Sequence, residues 1–301
     1  MADTDPETAD AAWSQRLANR PSFSVSLGWG PGQALEGFWR EAFRSTRPGA
    51  RILEIGCGSA DVSLWAAEAG RGFLVVASDL HRNPQGVRRH PGVLFVGGAR
   101  AEALPFADDA FDLVVSNFAV EYAPADAALA ELERVLRRGG SAALVLHSAD
   151  SIVTANSRVA LETHDALEAA GIPERVRRAA ALRSDHLTRR KLLKEALRRR
   201  GDIETLTLTF GGVDYFVVAE RLLEGAATAR QDLHRLDEAV GMRVAISREQ
   251  ARVALDPAGL QAFRGRLSNL GFSVDVSELT CTYQTGGSDK IGWIALLAKR
   301  P

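Results

Sequence analysis

Residues 51–61 read RILEIGCGSAD: a short apolar run interrupted by Glu54, two glycines one residue apart, and a polar step into DVSLWAAEAG, which stops at Gly70. The pattern predicts a buried strand, a tight turn where glycine permits positive φ and close backbone approach, and a helix. Outward from it the chain keeps alternating. GFLVVASD (72–79), VLFVGG (93–98), FDLVVSNF (111–118) and SAALVLH (141–147) predict four further strands, and ALAELERVLRRGG (128–140) predicts a helix closed by its glycines. Strands alternating with helices imply right-handed crossovers and a parallel sheet covered on both faces.

The flanks differ in character. Residues 1–12 are acidic, small and unpatterned and are expected to form a disordered tail, with order from Trp13. A helix is expected from about Gln33 to Ser45, with Leu35, Phe38, Trp39 and Ala42 at helical spacing. Residues 149–255 read as helical: ANSRVALETHDALEAAG, ERVRRAAALRS, LTRRKLLKEALRRRG and a long run from Tyr215 to Val240, with TLTLTFGG (205–212) a strand or connector. DPAGLQAFRGRLSNLGF then predicts a helix capped by Asp256, with Pro257 in its first turn and Gly271 at its end. SVDVSELTCTYQ and KIGWIALLAK, joined by TGGSD, predict a closing antiparallel hairpin. The domain is therefore expected over 13–148 and 256–301, with 149–255 a helical lid or substrate-binding insertion.

Composition excludes several classes. Hydrophobic residues make up 46% and charged residues 25% of the 301 residues, and the net charge of -1 supplies no global field for nucleic acid or anionic lipid. Cys57 and Cys281 are too few for a disulfide framework or a tetrahedral zinc site, so no metal and a reducing, cytoplasmic setting are expected. No apolar run is long enough to span a membrane, and the acidic start lacks signal-peptide features, so no membrane partner is expected.

The glycine turn itself limits the cofactor. A dinucleotide places its pyrophosphate on such a turn. Here Asp61 stands where the third glycine of G-x-G-x-x-G would be, and Glu54 precedes Gly56 by two residues. Two like charges about 5 Å apart at an effective dielectric of about 20 repel by about 3 kcal/mol, which disfavours a phosphate. S-adenosyl-L-methionine has no phosphate, carries an ammonium and a sulfonium, and still presents an adenosine to the turn. Asp79 follows Gly58 by 21 residues, at the end of the second strand, where a carboxylate can accept both ribose hydroxyls. Asp79 can also be read as a turn or cap residue, and Glu54 as the partner of a nearby helix terminus.

ILEIGCG, Asp79, ARAEALPFADDAFDLVVSNFAVEY (99–122) and ALAELERVLRRGGSAALVLH together resemble the class I S-adenosylmethionine-dependent methyltransferases, particularly the branch with a D-A-E-x-L-P-F segment. The resemblance covers Arg51 to His147 and extends to Leu260–Lys299. It implies a Rossmann-like α/β fold: a seven-stranded, mostly parallel sheet with helices on both faces and an antiparallel C-terminal hairpin. It also implies that Glu54, Gly56, Cys57 and Gly58 line the methionine and ribose side, that Asp79 holds the ribose, and that Leu80 packs on the adenine. The Ala101–Glu102 turn would approach the adenine edge, and Asn117 and Phe118 would face the methionine part and the reacting methyl. Two positions depart from the family: Arg100 stands where an adenine-accepting aspartate is frequent, and arginine has no acceptor; Arg138 stands where proline is usual.

For chemistry beyond positioning, His147, Glu121 and Tyr122 lie just past the carboxyl ends of strands four and five and are the candidate catalytic residues. Each also has a bland reading, as a satisfied strand-end histidine, a solvated loop acid and a pocket wall. His164, His186 and His234 are expected on helical surface. SNFAVEY lacks the Asn/Asp-Pro-Pro-Tyr segment of nucleobase and glutamine amino-methylating enzymes. The expected activity is methyl transfer to a small organic acceptor, with oxygen ahead of carbon and nitrogen and S-adenosyl-L-homocysteine as co-product, in a monomer or homodimer. Phe210, Tyr215 and Phe216 either line a roof over the substrate or form the insertion's own core. Two alternatives stand beside this reading: an RNA or other macromolecular methyltransferase using the basic helix 186–200, and a non-catalytic cofactor-binding regulator. Against nucleic acid, Leu187, Leu192, Leu193 and Leu197 are expected to form an apolar stripe with the cations on the solvated faces, and no aromatics are interleaved for base stacking.

Overall fold

The computed structural model describes residues 29–82, 90–182, 184–203, 208 and 212–300. The expected tail over 1–12, the ordering from Trp13, Phe210 and most of TLTLTFGG lie outside the described residues. The chain divides into two compact units. One consists of 29–154 with 252–300 among the described residues, the other of Ala155–Ala251.

The first unit is built on a seven-stranded sheet of β1 (Arg51–Ile55), β2 (Leu74–Asp79), β3 (Val93–Gly97), β4 (Phe111–Asn117), β5 (Leu136–Leu146), β6 (Phe272–Thr282) and β7 (Ser288–Lys299). The order is β3-β2-β1-β4-β5-β7-β6. Pairs from β3 through β5 are parallel, and β7 is antiparallel to both β5 and β6. The seven-stranded sheet and closing hairpin expected from the resemblance are thus present. One face buries Leu35, Trp39 and Phe43 of α1 (Trp29–Ser45) and Val62 and Trp65 of α2 (Asp61–Glu68) against Ile52, Val115 and Val145. The other buries Leu129 and Leu132 of α3 (Ala125–Val135) and Phe263 and Leu267 of α9 (Pro257–Asn269) against Leu53, Val114 and Leu144. Asp256 caps α9 by accepting from the Gly259 amide at 2.7 Å, as its sequence predicts.

Three expectations need correction. The helix expected through Gly140 stops at Val135, because Leu136 pairs with Phe111 and LRRGG enters β5 through an irregular register. Lys299 Nζ donates to the carbonyls of Glu133 (2.7 Å) and Leu136 (2.6 Å), satisfying acceptors where α3 ends. The helix expected from Gln33 begins at Trp29, with Pro31 tolerated in its first turn. The helical run expected from Tyr215 to Val240 is two helices, α7 (Tyr215–Glu224) and α8 (Ala229–Val253), separated at Gly225, whose φ of 76° is a left-handed cap.

The second unit contains α5 (Ile172–Ala181), α6 (His186–Leu197), α7 and most of α4 (Ile152–Ala169) and α8. Tyr215 and Phe216 belong to its own core, with Leu167, Val176, Leu193 and Leu236, which decides between the two readings of these aromatics. Tyr215 Oη donates to Asp237 at 2.6 Å, and Arg177 pairs with the same carboxylate. The apolar stripe expected on α6 holds for Leu193, and Leu192 and Leu197 pack against the core. It fails at Leu187, which is 85% exposed on the opposite face. His186 and His234 are exposed, and His164 is half-buried.

The amino edge of the sheet carries a separate feature. Asp112, buried at the start of β4, accepts from the Arg51 amide at 2.7 Å and pairs with Arg47 and Arg137. Burial pushes its carboxyl up, but the Arg51 amide and the guanidiniums of Arg47 and Arg137 outweigh it and hold the group at about 2. A cavity of about 500 Å³ opens beside it, floored by Phe38, Ala42, Leu113, Ala142 and Leu297. Its position at the amino ends, with its carboxylate already saturated by cations, leaves the chemistry to the other edge.

Candidate active site

The carboxyl ends of β1, β2, β4 and β5 meet where the strand order reverses, between β1 and β4. Open parallel sheets place their ligands at this crevice. The turn after β1 uses positive φ at three residues, Gly56 (68°), Gly58 (52°) and Ala60 (64°). At Gly56 a Cβ would lie 2.4 Å from Ala119 Cβ, so a side chain there collides with the segment that follows β4. The turn is pinned to β2: the Cys57 amide donates to the Ser78 carbonyl at 2.9 Å and the Gly58 amide to Asp79 Oδ2 at 2.8 Å. Asp79 Oδ1 accepts from the His81 amide at 2.9 Å, so both carboxylate oxygens are oriented at the strand end. Leu80, the next residue, is 37% exposed, an apolar surface beside that carboxylate.

Glu54 is buried in β1. Its Oε2 accepts from the Ser63 amide (2.9 Å) and hydroxyl (2.5 Å) in the first turn of α2, so the helix-terminus partnership weighed for Glu54 is present. Burial pushes its carboxyl up to about 8, with the charges of Asp61 and Asp79 adding to the shift and the Ser63 bonds opposing it. The same surroundings raise the Cys57 thiol: burial first, then Glu54 and Asp79. Three carboxyl groups therefore surround one glycine turn, and a nearby cation lowers the cost of ionising Glu54 while an anion raises it.

This gives a pH test. Protonated Glu54 contributes stability that is fully present below the ordinary carboxyl pKa of 4.5 and is lost as pH rises through about 8. Glu54→Gln keeps an acceptor for Ser63 and removes the titration. Its urea midpoint is expected to overtake that of the wild type progressively from about pH 5 to about pH 8 and to hold a constant lead at higher pH. Parallel profiles of the two proteins would contradict the burial cost assigned to Glu54.

The far wall of the crevice follows β4. Asn117 Oδ1 accepts from the Trp39 indole at 3.1 Å, which fixes the carboxamide. Phe118 has a φ of 53°, a strained conformation for a bulky residue, and its amide donates to Val145 at 2.8 Å. The segment 99–109 is tied on both sides. The Ala99 amide donates to the Asp79 carbonyl at 2.9 Å, and α3 clasps the loop through Glu131, which accepts from the Leu104 amide at 2.7 Å, and Arg134, which donates to the carbonyls of Leu104 and Phe106. Within it Arg100 pairs with Glu102 at 2.7 Å, so the residue that departs from the family pattern neutralises its neighbour.

At the end of β5, the side chains of His147 and Glu121 are buried and bonded to each other. Glu121 Oε1 lies 2.7 Å from His147 Nδ1 and accepts from the His147 amide at 3.0 Å. The imidazole packs on Phe118 (centroids 4.6 Å apart) and meets Tyr122 edge-on at 5.6 Å. His147 Nε2 and Glu121 Oε2 have no hydrogen-bond partner among the described residues. The surface-acid reading of Glu121 is thereby overturned. The chain leaves for the helical unit just past this pair and returns beside it: the Leu255 amide donates to the His147 carbonyl at 2.9 Å and the Ala149 amide to the Leu255 carbonyl at 3.0 Å.

The crevice thus gathers Glu54, Gly56, Cys57, Gly58, Asp79, Leu80, Asn117 and Phe118 with His147, Glu121 and Tyr122, and Ala101 and Glu102 lie in the tied segment beside β2. Trp39, Ser63, Ala119, Glu131 and Arg134 are positioning residues that sequence reading missed. Glu131 and Arg134 look like any helical surface pair, and Ala119 carries a signal only once Gly56 is known to touch it.

Residues 53–144 match the family model of a methyltransferase domain. An uncharacterised protein of Mycobacterium tuberculosis is 39% identical over 104 residues, 33% of this chain and 37% of that protein. A demethylmenaquinone methyltransferase of Beutenbergia cavernae is 38% identical over 112 residues, 35% of this chain and 45% of that protein. The chain spans less than half the length of these curated relatives. Among solved structures, a SAM-dependent methyltransferase of Methanosarcina mazei aligns over 86% of this chain and 97% of that one, with 16% identity and a TM-score of 0.41.

Proposed function

We propose that this chain, whose residues 53–144 match the family model of a methyltransferase domain, transfers a methyl group from S-adenosyl-L-methionine to a small organic acceptor, with oxygen the favoured nucleophile ahead of carbon and nitrogen. The observation that carries the reading is the acid-lined glycine turn. Glu54, Asp61 and Asp79 surround the positive-φ glycine turn, a set of acceptors suited to a cationic nucleoside and unsuited to a pyrophosphate.

In this reading Asp79 holds the ribose hydroxyls, Leu80 covers one face of the adenine, and the turn 56–58 packs on the ribose and methionine side. Ala101 and Glu102 approach the adenine edge. With Glu102 held by Arg100, adenine recognition there relies on backbone groups. Asn117, oriented by Trp39, and Phe118 border the reacting methyl. The bound cofactor supplies an electrophilic methyl on a sulfonium. The chain's contribution is alignment and exclusion of water.

The insertion expected over 149–255 is assigned to substrate selection. Support for a small acceptor comes from the similarity to a protein named as a demethylmenaquinone methyltransferase. The test is transfer of a labelled methyl from S-adenosyl-L-methionine to a panel of phenols, quinols, amines and carbon acids, with total RNA alongside. Label in a small acceptor is expected. Label confined to RNA favours the macromolecular alternative, and cofactor binding with no transfer favours a regulator.

A further inference from the structure

We propose that His147 and Glu121 form a proton-accepting pair, with His147 the general base and Glu121 its positioning residue, and that the acceptor therefore presents a hydroxyl oxygen with a dissociable proton. The inference rests on the methyl-transfer reading of the same crevice and narrows its substrate class.

The geometry is that of a prepared base. A carboxylate 2.7 Å from Nδ1 favours the tautomer with the proton on Nδ1 and the lone pair on Nε2. Glu121 Oε1 is held by the His147 amide as well, so the two groups cannot swing apart without losing a second bond. Nε2 is buried and has no partner among the described residues. A polar nitrogen left without a bond in the interior is costly unless a ligand supplies the missing donor.

The contacts of the ring connect His147 to the segment that closes on the glycine turn. The imidazole packs on Phe118, the strained residue that ends β4, and Ala119 is the residue against which Gly56 is closed. One short segment, 118–121, thus touches the glycine turn at one end and orients His147 at the other.

The step balances without a further reagent. The acceptor's O–H proton passes to Nε2 as an oxygen electron pair forms the O–CH3 bond, and the C–S bond breaks with its electron pair remaining on sulfur as the neutral thioether. The imidazolium formed is stabilised by the Glu121 carboxylate. An acceptor atom with no proton to lose, such as a tertiary amine or a thioether, gains nothing from such a pair.

The test begins with the tautomer. In protein labelled with 15N-histidine at pH 8, with the His147 signals identified by their absence in His147→Gln, the ring is expected to carry a proton on Nδ1 and none on Nε2. Glu121→Gln, whose amide can donate to Nδ1, is expected to move the proton to Nε2 and to lower methyl transfer to hydroxyl acceptors 10²–10⁴-fold, with affinity for S-adenosyl-L-homocysteine changed by less than about threefold. A wild-type ring that is doubly protonated or carries its proton on Nε2 would overturn the proposal, as would an unchanged tautomer and rate in Glu121→Gln. Wild-type protein that binds no S-adenosyl-L-homocysteine overturns both this proposal and the reading beneath it, whereas intact binding with an inert pair overturns this proposal alone.

Discussion

Asp79→Ala is expected to weaken binding of S-adenosyl-L-homocysteine by about 10²–10⁴-fold, since two charge-assisted hydrogen bonds to a ribose contribute about 1.5–3 kcal/mol each. Isothermal titration measures it. The carboxylate has two employments. It already accepts from the Gly58 and His81 amides, so its removal also loosens the turn. Asp79→Asn separates the two, because its single carbonyl oxygen can retain one amide partner while the charge is lost. The expected order of affinity is wild type, then Asp79→Asn, then Asp79→Ala. A variant that folds with an unchanged thermal midpoint and binds the nucleoside as tightly as wild type would remove Asp79 from the ribose site.

The second large effect is steric. Gly56→Ala places a methyl group 2.4 Å from Ala119 Cβ at a residue whose φ is 68°. The left-handed conformation costs a non-glycine residue about 1–2 kcal/mol, and forcing overlapping methyls apart costs about 1–3 kcal/mol more. Urea unfolding is expected to show a loss of about 2–5 kcal/mol, with cofactor affinity falling in parallel because the turn and segment 118–121 move apart. Ala119→Gly in the same chain should recover the steric part and leave the conformational part, giving a coupling of about 1–3 kcal/mol in a double-mutant cycle. A Gly56→Ala protein as stable as wild type would show that the turn is not closed against the end of β4.

Both predictions depend on contacts of different legibility. The strand before the glycine turn, the acidic decoration around it and Asp79 at the end of the second strand could be read from one stretch and one spacing, since local chain geometry sets them. The strand succession was equally readable, because period-two apolar runs bounded by glycine are local signals. Boundaries decided by distant partners were not. Nothing in ALAELERVLRRGG says that Leu136 leaves the helix to pair with Phe111, or that Lys299, more than 160 residues later, covers the last carbonyls. Leu187 satisfies a helical stripe on paper, yet the face chosen for burial is the one bearing Leu193 and Ala196, which tertiary packing selects.

The site divides in the same way. His147, Glu121 and Tyr122 were each nameable as residues past strand ends, but pairing a histidine with a carboxylate 26 residues away requires β4 and β5 to be neighbours in register. Glu54 shows the converse. Its helix-terminus role was foreseeable from position, whereas its elevation to about 8 follows from burial against two further carboxylates, a sum over the folded site.

The central claim is that the acid-lined turn after β1 receives a phosphate-free cationic nucleoside. Parallel isothermal titrations of the wild-type chain with S-adenosyl-L-methionine and with NAD test it most directly. Saturable one-to-one binding of S-adenosyl-L-methionine with none of NAD is the predicted result, and tighter binding of NAD, or no binding of S-adenosyl-L-methionine by the folded protein, would contradict it.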